Sequence, residues 1–308
     1  MKRITCTGIV VVDALSGPLE RYPVPGAVAQ VVTEQIRFSP GGGACNSSTA
    51  LARMGLPVRI FAKVGDDANG RFVQQELTAC GVDTRHLRLV DGEQTPFTFV
   101  GIHPDGERTF IHTPGTNLTF SLADLDLEAL LDTEILFYQD CWVLPQLDGA
   151  PAAQLLALAQ QRGIITALDA TWGLGPRRDV LELMAPYCDY LLVSLAEFQA
   201  IYPGMSPAAI AGHLRALGVK TVVLKMGKDG AFVSSASGDE QVPGYPATVV
   251  DTTGAGDSWD AGFLAALAQG ESLHRAVCIG HACAAFGIEA VGGATGVPDY
   301  ATVLARAI

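Results

Sequence analysis

The chain has 308 residues, 49% of them hydrophobic and 17% charged, enough apolar material for a sizeable core in one large domain or two modest ones. A net charge of -12, from 20 Lys and Arg against 32 Asp and Glu, repels phosphate backbones and excludes nucleic acid and anionic membrane as default partners. Seven scattered cysteines without a C-x-x-C pair exclude a disulfide framework and fit reduced, buried thiols. The first 13 residues lack the length and cleavage site of a signal peptide. With no apolar run of the roughly 18 residues a membrane span needs, the cytoplasm is the expected compartment.

In chain order, the apolar segment 4–12 reads as one buried strand ending at Asp13. Residues 14–38 then change character, with Gly17, Pro18, Pro23, Pro25 and Gly26 marking turns before an alternating strand over 28–38. A helix follows Gly43, residues 58–64 form a strand, and 70–80 a helix ending at Gly81. After Thr95, two alternating runs flank Pro104-Asp105-Gly106, a hairpin turn. From residue 135 short apolar strands alternate with helices up to residue 224, the pattern of parallel strands joined by helical crossovers. Two long apolar helices, 257–269 and 272–289, close the chain. The expected architecture is α/β, a single domain over 1–308, with the segments at about 14–38 and 95–113 forming a small β lid.

The strongest chemical signal is the run Asp251-Thr252-Thr253-Gly254-Ala255-Gly256-Asp257, between an apolar stretch and a helix. Small residues at Gly254, Ala255 and Gly256 let a ligand approach the backbone, and the unpaired N–H groups of a helix start make an anion hole. Such a hole holds a phosphoryl group and stabilises charge as it transfers. Asp257, at the same place, offers a carboxylate to take a proton from an attacking hydroxyl. The bland alternative is a glycine-rich turn with Asp257 as a helix cap. A lone G-x-G would favour that alternative; the whole heptapeptide in its strand-to-helix setting does not.

A second glycine-rich turn, Pro40-Gly41-Gly42-Gly43-Ala44-Cys45-Asn46, also runs into a helix. Asn46 offers a donor and an acceptor, suited to sugar hydroxyls. Asp13, at a strand end, is a third candidate, because ligands of open α/β sheets sit at carboxyl ends of strands. No G-x-x-x-x-G-K-[ST] and no G-x-G-x-x-G occurs, so P-loop and dinucleotide-binding readings lack their main support.

These two signatures, in this order and about two hundred residues apart, resemble the ribokinase-like (pfkB) family of carbohydrate kinases. The resemblance spans nearly the whole chain, and its most specific part is the run from Asp251 to Phe263. It implies a three-layer α/β/α sandwich with a mostly parallel sheet and a lid over the sugar. It further implies ATP-dependent phosphorylation of a sugar hydroxyl, with Asp257 as base and Gly254, Ala255 and Gly256 as anion hole. Substrate would be bound by Asp13, Gly42, Gly43 and Asn46, joined by Gln139 and Asp140. Lys225, Gly227 and Gly230 fall on the family's nucleotide-side turn, and Mg2+ would accompany ATP. Asp251 and Thr253 match the position of a monovalent cation, K+, in many members.

The chain departs from the family at Ser194, where Asn is common in an Asn-x-x-Glu motif linked to magnesium, while Glu197 is kept. Thr171 likewise stands where Asn is frequent. Family members acting on phosphorylated sugars tend to carry Lys in the N-terminal glycine turn, where this chain has Gly43. An unphosphorylated sugar is therefore the expected substrate, with a nucleoside kinase or a catalytically weakened carbohydrate-binding regulator as alternatives. The apolar lid positions Val28, Phe97, Phe99 and Phe110 further predict a homodimer pairing lid against lid.

Overall fold

A computed structural model describes residues 2–19, 21, 26, 31–103, 108–171, 173, 175 and 177–307, with the side chain of Arg108 excepted. The first half of the chain carries strands β1 (Ile4–Thr7), β2 (Val11–Gly17), β3 (Gln35–Gly41), β4 (Val58–Gly65), β5 (Leu87–Val90), β6 (Phe97–Ile102) and β7 (Arg108–Thr113). Helices α1 (Gly43–Arg53), α2 (Ala68–Ala79) and the short α3 (Leu127–Leu130) lie among and after them. Strands β8 (Ile135–Cys141), β9 (Ile165–Ala170) and β10 (Tyr190–Ser194) alternate with α4 (Ala150–Gln161) and α5 (Arg178–Met184). Helices α6 (Leu195–Ile201) and α7 (Pro207–Ala216) precede β11 (Thr221–Lys225), β12 (Ala231–Ser235) and β13 (Gly238–Val242). Helices α8 (Ala255–Gln269), α9 (Leu273–Ile288) and α10 (Tyr300–Arg306) complete the described fold.

Nine strands form one sheet in the order β13-β12-β11-β10-β9-β8-β1-β4-β5. All neighbours from β11 to β5 are parallel; the β11–β12 and β12–β13 pairs are antiparallel, so only β12 runs against the other strands. Alternate residues of each central strand point to opposite faces, and the core divides accordingly. Ile135, Phe137, Leu192 and Val223 pack with α1, α8 and α9 residues such as Leu51, Trp259 and Ile279. Leu136, Tyr138, Leu191 and Leu224 pack with α4 to α7 residues such as Leu155, Phe198 and Leu214. The result is the three-layer α/β/α sandwich, and its helices begin where the chain supplies caps: Ser206 and Ser272 accept from the N–H of Ala209 and Arg275.

A separate four-stranded sheet, β3-β2-β6-β7, forms the lid. Here the structure corrects two readings of the sequence. The apolar run 4–12 is not one strand: Gly8, Ile9 and Val10 interrupt it, and the chain leaves the large sheet after Thr7 to start the lid at Val11. Its continuous apolarity hid the break, since both halves are buried. Asp13 accordingly lies in a lid strand and not at the end of a core strand. The lid strand expected over 28–38 is found at Gln35–Gly41; Val28 and the Pro104-Asp105-Gly106 turn lie outside the described residues.

Candidate active site

Strand β1 is flanked by β4 on one side and β8 on the other, so the strand order reverses beside it. Crevices at such switch points open at the carboxyl ends of the strands, and the two glycine-rich turns converge there. At the first, Gly42 has φ 92°, and a Cβ would lie 2.5 Å from the Ile9 carbonyl oxygen, so only glycine lets the chain pass. At the second, Gly254 has φ 67° in the left-handed region, and a Cβ would stand 2.7 Å from Cα of Gly293. That turn opens α8 without a side-chain cap on its first N–H groups, leaving them for a ligand.

Asn46 and Asp257, 211 residues apart in sequence, meet at this point: Asn46 Nδ2 donates to Asp257 Oδ2 at 2.7 Å. Ser47 fastens the same junction by donating to the Asp257 carbonyl at 3.0 Å, and Gln139 Nε2 donates to Ser47 Oγ at 2.8 Å. Gln139 Oε1 is buried without a hydrogen-bond partner among the described residues. Burial pushes the Asp257 carboxyl above its usual range; the Asn46 hydrogen bond pulls it back, Asp169 raises it and Lys225 lowers it.

Asp140 occupies a different kind of position. Strand β8 shifts register between Tyr138 and Cys141, and Asp140 takes φ 63°. Its carboxylate accepts from the N–H of Ile9 at 2.9 Å, Gly43 at 3.2 Å and Ala44 at 3.3 Å. It therefore clasps the start of α1, and Gly43 is small because a Cβ would meet Asp140 Oδ1 at 2.4 Å. Asp13 is paired across the lid with Ser39 and Thr98, and Thr98 Oγ1 shares a 3.0 Å hydrogen bond with His112 Nδ1. Burial pushes the Asp13 carboxyl up to about 6, against a hydrogen bond from Thr98 that lowers it. Thr98 and His112 were not legible as site neighbours, because their place follows from cross-strand register.

On the other side of the 254–257 turn lies a cleft of about 360 Å³, lined by Asp169, Ser194, Glu197, Lys225 and Gly227 together with that turn. Ser194, Glu197, Lys225 and Gly227 are thus brought together, while Gly230 (φ 89°) closes the turn behind them, where a Cβ would meet the Val242 carbonyl at 2.0 Å. Lys225 Nζ lies 2.9 and 3.0 Å from the two oxygens of Asp260 and 3.4 Å from Asp169 Oδ1. Burial opposes the charge of Lys225, but Asp169 and Asp260 outweigh it and hold the ammonium above its ordinary range. Asp260, with no exposed side-chain surface, was not singled out by sequence reasoning; its four-residue spacing from Gly256 on one helix face was the available signal. Asp251 accepts from the N–H of Thr253 at 2.8 Å and Gly292 at 3.0 Å, bracing the turn. Among the described residues, no cluster of three or more His, Cys, Asp or Glu could hold a metal alone.

The profile of the pfkB family carbohydrate kinases matches residues 1–299, and the chain belongs to that family. It is a carbohydrate kinase. It is 28% identical to an ATP-dependent ribose-1-phosphate kinase of Halopiger xanaduensis over 87% of this chain and 86% of that one. It is 25% identical to a ribokinase of Haemophilus influenzae, over 96% of this chain and 95% of the relative. The solved structure of Arabidopsis thaliana ribokinase complexed with ribose and ATP superposes with a TM-score of 0.88 at 24% identity, covering 99% and 98% of the two chains. Among the described residues no helix is long and apolar enough to cross a membrane.

Proposed function

We propose that this carbohydrate kinase transfers the terminal phosphoryl group of ATP to a hydroxyl of a small unphosphorylated sugar. One observation supports the reading: the Asn46–Asp257 contact joins an amide suited to sugar hydroxyls and a carboxylate suited to accept a proton, beside a helix start with no side-chain cap. The sugar hydroxyl oxygen would bond to the terminal phosphorus as the bond to ADP breaks, with the hydroxyl proton passing to Asp257. The N–H groups at 254–257 would meet the charge on the transferring group. Magnesium would be held chiefly by the nucleotide and water, and the chain's oxygens facing that cleft, from Asp169, Ser194 and Glu197, suit bound water. Asp251 and Thr253 would carry any K+ dependence.

The sugar side supports a neutral substrate. Gly41 to Cys45 bear no charge, and Asp13 and Asp257 would repel a second phosphate. Arg177 pairs with Asp179 and Arg178 with Glu182, so neither is directed at the site. A second reading rests on Arg37, which makes no ion pair among the described residues and borders a cleft of about 290 Å³ with Leu15, Ile102 and Val291. It would suit a substrate with an anionic substituent far from the reacting hydroxyl. A panel of neutral sugars, nucleosides and sugar phosphates decides between them. Neutral sugars should show at least a roughly tenfold higher kcat/KM; preferential turnover of a sugar phosphate sinks the first reading in favour of Arg37, and nucleoside preference assigns the alternative scaffold use. No turnover across the panel with intact sugar binding points to a regulator.

The lid exposes Ile36, Phe38, Phe110 and Ile111, each more than half exposed, and such a patch favours a partner. A lid-to-lid homodimer is therefore the expected assembly. Light scattering at tens of micromolar should give twice the 32.3 kDa chain mass; a monomer mass would refute it.

A further inference from the structure

The pairing around Lys225 is unusual for a structural lysine. Its ammonium is enclosed by two carboxylates yet borders the cleft, and its Nζ lies 3.5 Å from where a Cβ on Gly256 would stand. It thus sits beside the N–H groups of the helix start and, among the described residues, is the one cation lining that cleft. Trp259 lies beneath it, with Nζ 5.9 Å from the ring centroid. An ammonium has three N–H donors in tetrahedral array. Asp260 takes two of them, and Asp169 Oδ1, 3.4 Å away, pairs with the charge without a hydrogen bond, which leaves one donor for the cleft.

We infer that Lys225 is the fixed cation that meets the terminal phosphate of the nucleotide, with Asp260 and Asp169 as the residues that position it. The inference rests on the reading of this cleft as the nucleotide side. A lysine stem alone is flexible, with four rotatable bonds to order. Bidentate contact with a wholly buried carboxylate removes that freedom before any ligand arrives, and a preorganised charge stabilises a developing one without reorganisation. Burial raises both carboxyls, and the nearby ammonium pulls both back.

The test is calorimetric binding of MgATP and MgADP to the full chain, which needs no knowledge of the sugar. Lys225→Met should lower affinity for ATP at least roughly tenfold while changing ADP by less than about threefold, because only ATP carries the phosphate at issue. Removing one member of a buried ion pair endangers the fold. A second variant, Lys225→Met with Asp260→Leu, removes charge and partner together and should show the same selective loss. Lys225→Arg should keep the ATP preference, and Asp260→Asn should weaken it while the cation remains. Equal losses for both nucleotides, or an ATP affinity within about threefold of wild type in the double variant, would overturn the assignment. A wild type that binds neither nucleotide would instead remove the kinase reading of the cleft itself.

Discussion

Asp257→Asn is expected to lower kcat by roughly 10²–10⁴ while leaving ATP affinity nearly unchanged. Asparagine has the same shape, and its carbonyl oxygen can keep the 2.7 Å hydrogen bond from Asn46, so the junction of the two turns survives. What disappears is the ability to accept a proton at the moment the hydroxyl attacks. The pH profile gives an independent reading. Burial and the charge of Asp169 hold the Asp257 carboxyl above the usual carboxylate range, so it reprotonates earlier as pH falls. Turnover by the wild type should therefore rise with pH through the mildly acidic range and then level off. The Asn variant should lack that rising limb. Near wild-type turnover from a variant shown by circular dichroism to be folded would mean that another group takes the proton.

The parts of this fold that were legible in sequence are those where one physical signal dominates. The strands β8 to β11 and the helices between them could be read because apolar runs of fixed length alternate with helical periodicity. The turn at 254–257 was readable because three small residues between an apolar stretch and a helix have few structural uses. Residues 4–17 misled for a definite reason. Hydropathy reports burial and not which sheet buries the residue, and here one apolar run serves two sheets. Asp13 was consequently assigned to the end of a core strand when it lies inside a lid strand. Asp260 stayed hidden because a buried carboxylate inside an apolar helix announces itself only through its partner, and Lys225 lies 35 residues away. Asp140 illustrates the same limit, since its three amide donors come from a loop 131 residues earlier and a helix start 97 and 96 residues earlier.

Asp140→Ala is expected to destabilise the protein by roughly 4 kcal/mol or more, a large loss for one side chain. The resemblance to sugar kinases assigns Asp140 to the substrate, but the geometry gives it a structural task first. Its carboxylate is the acceptor for the N–H groups of Ile9, Gly43 and Ala44, and the side chain is only 4% exposed. Alanine would strand these donors away from water, at about 1–3 kcal/mol for each one left unsatisfied. It would also have to adopt φ near 63°, which costs an L-residue other than Asn or Asp roughly 1–2 kcal/mol. Asp140→Gly separates the two contributions, since glycine takes that φ freely but supplies no acceptor. Asp140→Asn keeps one acceptor oxygen and should fall between Asp and Gly. Urea unfolding measures the series, and the midpoint should fall in the order Asp, Asn, Gly, Ala with the slope unchanged. Loosening the clasp also frees the Gly42–Gly43 turn that aims Asn46 at Asp257, so activity should fall with stability. If Asp140→Ala instead unfolds within about 1 kcal/mol of wild type and only the sugar KM rises, the carboxylate belongs to the substrate and the clasp is incidental.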